Sequence, residues 1–333
     1  MKDKQFVFLN YISRSGSTLF CRLLDEYQGI DVGIEAGFSD SIYRLLPIQY
    51  EKIDSNKMLN KYLDELYNDI RFKEWKISRD HLLKRLNEND FPLTFKEILQ
   101  GCMDEYFSLN GLSQESSVYV HKAGDYIDIL DDVKKIFPGA KNIYQIRDPR
   151  AIYNSQKNAT CIYTGKKMGW SLTYFVWQYK KRIRIINQDT NHDNLLSFRY
   201  EDLVKDTHLV MSDVLKFIGN DGCKKENYKE YSERIPGNQQ QLHENVAKCT
   251  NENSLDKWKD GLEDYELAFI QKKLSREMED MQYPFTVVES DMRIFYRLLN
   301  LNIQYWILIA RMSYWSLSRR GAHFAAKLKR NWL

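Results

Sequence analysis

The segment that most constrains this chain is Gln5-Phe-Val-Phe-Leu-Asn-Tyr11, a continuous apolar run of the kind found in strands buried on both faces. It leads at once into Ser13-Arg-Ser-Gly-Ser-Thr18, and then into the helical spacing of Leu19, Leu23, Leu24 and Tyr27. Strand, small-residue loop and helix in this order form an anion cradle. Small residues let the backbone wrap closely, and the helix start offers unpaired N–H groups at its positive end. Ser15, Gly16, Ser17 and Thr18 supply close backbone approach and hydroxyl donors, and Arg14 supplies a permanent, forked cation. Taken alone, the loop has a second reading as an ordinary polar strand-to-helix turn. It is not a Walker A loop, because the first glycine is missing and no lysine follows Gly16.

The same alternation continues downstream. Strands are expected over Ser117–His121, Asn142–Ile146 and Leu195–Phe198, and helices over Ile127–Phe137, over Trp170–Asn187 and from Tyr200 onward. This alternation implies right-handed crossovers and an α/β fold with a central, mainly parallel sheet flanked by helices. Ligands of such sheets bind beyond the carboxyl ends of the strands. The Arg14 loop falls there, and so does Arg147-Asp-Pro-Arg-Ala-Ile-Tyr-Asn-Ser155, where Pro149 suits the first turn of a helix. In isolation the second segment has a structural reading, with Asp148 as helix cap and Arg150 as a surface charge. The expected organisation is a main domain over 1–285, with a helical insertion at 43–110 forming the acceptor pocket, and a basic amphipathic tail over 286–333.

Together the two loops are far more specific than either alone. Arg14-Ser-Gly-Ser-Thr-Leu19 and Arg147-Asp-Pro-Arg-Ala-x-x-x-Ser155 resemble the 5′-phosphosulfate and 3′-phosphate loops of sulfotransferases that use 3′-phosphoadenosine 5′-phosphosulfate (PAPS). The Arg-Ser-Gly form is nearest to the carbohydrate and bacterial branch. Tyr200-Glu-Asp-Leu203 and Ser254-Leu-Asp-Lys-Trp-Lys-Asp-Gly-Leu262 are similar to two further family segments, so the likeness runs in order from about Gln5 to Tyr283. The resemblance implies a three-layer P-loop-like fold related to nucleotide kinases, PAPS as co-substrate, no catalytic metal, and in-line transfer to a hydroxyl of a carbohydrate or glycolipid. It also implies that Arg14 to Thr18 hold the 5′-phosphosulfate, Arg147 and Ser155 the 3′-phosphate, and Tyr200 the adenine. The late Arg-Lys-Gly triplet of the cytosolic branch is absent; Lys257 or Lys259 is the substitute.

The transfer needs a base for the acceptor proton. Glu35, in Gly33-Ile-Glu-Ala-Gly37, is preferred, and it reads otherwise as a turn-capping glutamate. His121 competes as base from the end of a strand, although a core histidine is the commoner reading. Lys122, beside it, is expected to touch the transferring group. The competing readings are a P-loop kinase-like phosphotransferase and a non-catalytic nucleotide- or glycan-binding protein of the same fold. The six histidines show no metal-ligand spacing, and no nucleic-acid-binding motif appears.

Five scattered cysteines without a C-x-x-C pair fit a reduced compartment, and no signal-peptide pattern opens the chain, so a cytoplasmic location is expected. The net charge of +3 hides an asymmetry. From Arg293 onward there are eight Lys/Arg and no acid, which leaves 41 basic and 46 acidic residues before it. Aromatic and aliphatic residues interleave with those cations, the composition of an interfacial helix on an anionic membrane. Packing on the domain and homo-oligomer contact are the other readings of residues 293–333.

Overall fold

The computed structural model describes residues 4–35, 52–112, 116–124, 126–188, 194–226, 231–237, 255–289 and 291–330, with side chains described through residue 314. Gly37, the opening residues 43–51 of the insertion, and Ser254 lie outside the described residues. Two compact units make up the chain. The first holds Met1–Arg147, Thr160–Lys166 and Ile185–Leu255; the second holds Asp148–Ala159, Lys167–Arg184 and Asp256–Leu333.

In the first unit, β1 (Gln5–Tyr11), β2 (Ile30–Val32), β5 (Val118–Lys122), β6 (Lys141–Ile146) and β7 (Leu195–Arg199) form one sheet in the order β2-β5-β1-β6-β7. Every pairing in it is parallel. A short antiparallel pair, β3 (Lys52–Ile53) with β4 (Leu93–Thr94), lies in the helical insertion. β1 is central and buried from Phe6 to Tyr11, as its apolar run requires. The sequence expectation lacked β2, a three-residue edge strand too short to carry a period.

Alternation along the strands separates two faces. Phe8 packs on Tyr126 and Phe137, with ring centroids 4.5 and 4.9 Å away, while the neighbouring Leu9 is paired in register with Lys122. From β1 the chain runs out to β2, returns to β5 on one side of β1, and crosses to β6 on the other. The crevice at the carboxyl ends of β1 and β6 is therefore a topological switch point, where open α/β sheets bind ligands. Tyr11 pairs in register with Gln145, so these two ends finish level.

The second unit is helical among the described residues. Its longest elements are the helices Leu172–Gln188, most of which belongs to it, and Met292–Arg330.

Candidate active site

The loop after β1 turns sharply before the helix Ser17–Asp25 begins. Arg14 has φ 77° and Gly16 has φ 92°. A left-handed conformation costs a non-glycine residue about 1–3 kcal/mol and persists where the surroundings over-determine it. Here they do. Gln145 Nε2 donates to the Ser15 carbonyl at 3.0 Å, and Arg147 Nη1 donates to the Arg14 carbonyl at 2.9 Å. The first amides of the helix, Ser17 and Thr18, precede its first internal bond, which runs from Leu19 N–H to the Gly16 carbonyl. The Ser15 hydroxyl is buried and has no hydrogen-bond partner among the described residues.

The guanidinium of Arg147 lies 4.5 Å from the centre of the Tyr200 ring. That ring in turn lies on Gly16, where a Cβ would come within 2.3 Å of it. Glycine is thus required twice at position 16, for its positive φ and for the aromatic ring above it. Gly16→Ala is expected to destabilise the protein by roughly 1–3 kcal/mol, read from urea unfolding. An unchanged midpoint would mean that Tyr200 gives way at no cost. Burial, and next the nearby Arg147 guanidinium, hold Arg14 below the ordinary arginine value. Two cations close enough to oppose each other, beside helix-start amides, form the kind of arrangement that attracts an anion.

Lys122, at the end of β5, is buried and donates through Nζ to Thr18 Oγ1 at 3.0 Å. Its ammonium lies 5.5 Å from the Tyr11 ring centre. Tyr11 Oη donates to Glu35 Oε2 at 2.7 Å, and Arg71 Nη1 pairs with Glu35 Oε1 at 3.1 Å. Burial, followed by the Glu35 carboxylate, pushes the Tyr11 phenol well above its usual range, so Tyr11 stays a donor. Glu35 keeps about a third of its side chain exposed, at 33%, and a carboxylate oxygen that accepts one hydrogen bond has room for another. Tyr11 and Arg71 had no role in the sequence reading. The signal for Tyr11 was its place at the carboxyl end of a central strand; Arg71, on the helix Ile70–Lys73, offered none.

His121 faces the other side of the sheet. It is fully buried among Phe8, Trp75 and Tyr126, and burial lowers its imidazole to about 3, which keeps the ring neutral.

The remaining predicted residues belong to the second unit. Ser155 lies in the second turn of the helix Pro149–Asn158. Asp148 caps that helix by accepting from Arg150 N–H at 2.9 Å. Arg150 is not the surface charge of the structural reading. Only 1% exposed, it pairs with Asp148 at 2.7 Å, donates to the Pro284 carbonyl at 2.7 Å and lies 4.0 Å from the Trp258 ring centre. Asp148 takes its Nε and Nη2, but Nη1 is satisfied by Gln271 and Pro284, more than a hundred residues away, which a local reading of charge cannot anticipate. The ammonium of Lys259 faces Asp256 at 3.0 Å, and Lys257 is exposed. Among the described residues, no group of His, Cys, Asp and Glu is arranged to hold a metal ion.

A family model described as "Sulfotransferase family" matches residues 7–221. Among solved structures, the chain is similar to the sulfotransferase domain of the Synechococcus PCC 7002 olefin synthase. That match has 18% identity, covers 86% of this chain and 98% of that one, and has a TM-score of 0.55. It is also similar to the sulfotransferase domain from the curacin biosynthetic pathway, at 17% identity over 85% of this chain and 99% of that one, with a TM-score of 0.53. At these identities the likeness is one of fold. No curated protein matches the sequence.

Proposed function

The chain belongs to the sulfotransferase family, and from that premise we propose that it moves a sulfuryl group from PAPS to a hydroxyl of a carbohydrate or glycolipid. The observation that carries this reading is the meeting of Arg14 and Arg147 at the Gly16 turn, 133 residues apart in sequence. The residues present fit the donor. A glycine cradle that a Cβ would fill, the buried Ser15 hydroxyl and two opposed guanidiniums suit a nucleotide with phosphate at both ends of its ribose. Arg14 to Thr18 hold the 5′-phosphosulfate and Arg147 the 3′-phosphate. Tyr200, already against Arg147, borders the adenine. Ser155 is assigned to the 3′-phosphate by its motif alone.

Bound there, PAPS supplies an activated sulfuryl group whose bond to phosphate breaks as a bond to the acceptor oxygen forms. The protein positions that oxygen, stabilises charge and takes a proton. Arg14 and the amides of Ser17 and Thr18 stabilise the leaving phosphate. Lys122, tied to Thr18, neutralises the equatorial oxygens. Glu35 receives the acceptor proton, with Tyr11 and Arg71 fixing its carboxylate. Its partial exposure supports this role over His121, which sits neutral in an aromatic core. The helical insertion borders the acceptor; the Arg71–Glu35 pair supports that reading, because Arg71 belongs to the insertion. The Arg-Ser-Gly form of the first loop supports a carbohydrate-type acceptor.

Calorimetric titration with 3′-phosphoadenosine 5′-phosphate (PAP) against ADP tests the donor assignment. Strong preference for PAP is expected. Equal affinity for the two nucleotides would overturn it.

A further inference from the structure

The helix Met292–Arg330 lies beyond the family match at 7–221 and has no part in the chemistry above. Its 39 residues span about 58 Å. One side is packed: Tyr305 is buried, with its ring 6.1 Å from Phe269 and beneath the ammonium of Lys273. The opposite side is not. Phe295, Leu299, Ile303, Trp306, Ile307 and Tyr314 are all exposed, from 48% for Leu299 to 71% for Tyr314. At 100° per residue these side chains fall within a stripe roughly 120° wide, the apolar face of an amphipathic helix. Among the described residues, no helix is long and apolar enough to cross a membrane.

We propose that this stripe is a membrane-docking face, laid parallel to the surface of an anionic bilayer. Two observations choose the bilayer over a second copy of the chain. The first is charge. The sequence from Arg293 onward carries eight Lys/Arg and no Asp/Glu. Arg293 and Arg311 are both exposed, about 100° round the helix from the middle of the stripe, where anionic headgroups would meet them. A second copy would bring eight more cations against these.

The second observation is the period. A coiled-coil partner needs an apolar seam that repeats every 3.5 residues, whereas a straight helix follows 3.6 and drifts about 20° per heptad. Take Tyr296, Ile303 and Ala310, seven residues apart, as one edge of the seam. The position three residues on is apolar at Leu299 and Trp306 but becomes Ser313. The position four residues on starts as Asn300 and becomes Ile307 and Tyr314. The stripe thus stays on one side of a straight helix and slides off any fixed heptad seam. From Phe295 to Tyr314 a flat surface accepts that geometry; a supercoiled partner does not.

Co-sedimentation of the full chain with vesicles tests the proposal. The protein is expected to pellet with vesicles of mixed phosphatidylserine and phosphatidylcholine, and to be released by high salt or by phosphatidylcholine alone. The double substitution Ile303→Asp, Trp306→Asp puts charge in the stripe and is expected to lower partitioning at least about tenfold. Both positions are exposed, so an unchanged circular dichroism spectrum is expected to show that the fold survives. Wild-type protein remaining in the supernatant with the anionic vesicles would overturn the inference, as would equal pelleting of the folded variant. A concentration-dependent dimer that the double substitution abolishes, without any vesicle binding, would give the face to a second copy instead.

Discussion

Glu35→Ala is expected to lower kcat by about 10²–10⁴-fold, the range for loss of a positioned general base, while PAP affinity stays within about twofold of wild type. The separation follows from the geometry. Glu35 bonds to Tyr11 and Arg71 and has no contact with the Gly16 turn in the hydrogen-bond network described above. Glu35→Gln is the sharper variant, because its amide oxygen still accepts from Arg71 and its NH2 can donate to the Tyr11 hydroxyl oxygen, while the amide is a far weaker base. Steady-state sulfuryl transfer, with PAP binding measured on the same preparations, reads both quantities. A Glu35→Gln enzyme with near-normal kcat would remove Glu35 as the base. His121 would then have to act from a wholly buried, neutral position at the end of the same strand as Lys122.

Arg147→Ala is expected to weaken PAP by about 10- to 100-fold, consistent with one charge-assisted interaction, and to weaken ADP much less. The preference for the 3′-phosphorylated nucleotide would largely vanish. Arg147 also supports the loop through the Arg14 carbonyl and stacks on Tyr200, so a general loss is the alternative outcome. Arg147→Lys separates the two effects. It keeps the charge but lacks the planar fork that stacks and bonds in two directions. Equal weakening of PAP and ADP in Arg147→Ala would limit this arginine to holding the loop.

How much of this was legible in the sequence varies from residue to residue. β1, β5, β6 and β7 were readable because apolar runs between turn residues are local signals. The Arg14–Thr18 loop was readable for the same reason: strand, small residues and helix are contiguous. Arg147 was readable through its position after a strand, and Pro149 through its fixed backbone angle at a helix start. Arg150 was not. Its burial comes from Gln271, Pro284 and Trp258, none of them near it in sequence. Arg71 was hidden for a related reason, since its partner Glu35 is 36 residues away on a different element. Tyr11 looked like one more apolar strand residue until its hydroxyl was seen on a carboxylate.

The sequence by itself determined the order of β1, β5, β6 and β7 along the chain, the two basic loops after β1 and β6, and the family they resemble, because each rests on neighbours within a few residues. Only the tertiary structure decided which of those groups meet. The sheet order β2-β5-β1-β6-β7 sets β1 beside β6, and so brings Gln145 and Arg147 onto a loop some 130 residues earlier. It also turned His121 into the aromatic core and Lys122 toward Thr18, because adjacent residues on a strand face opposite sides and only packing chooses which side is which.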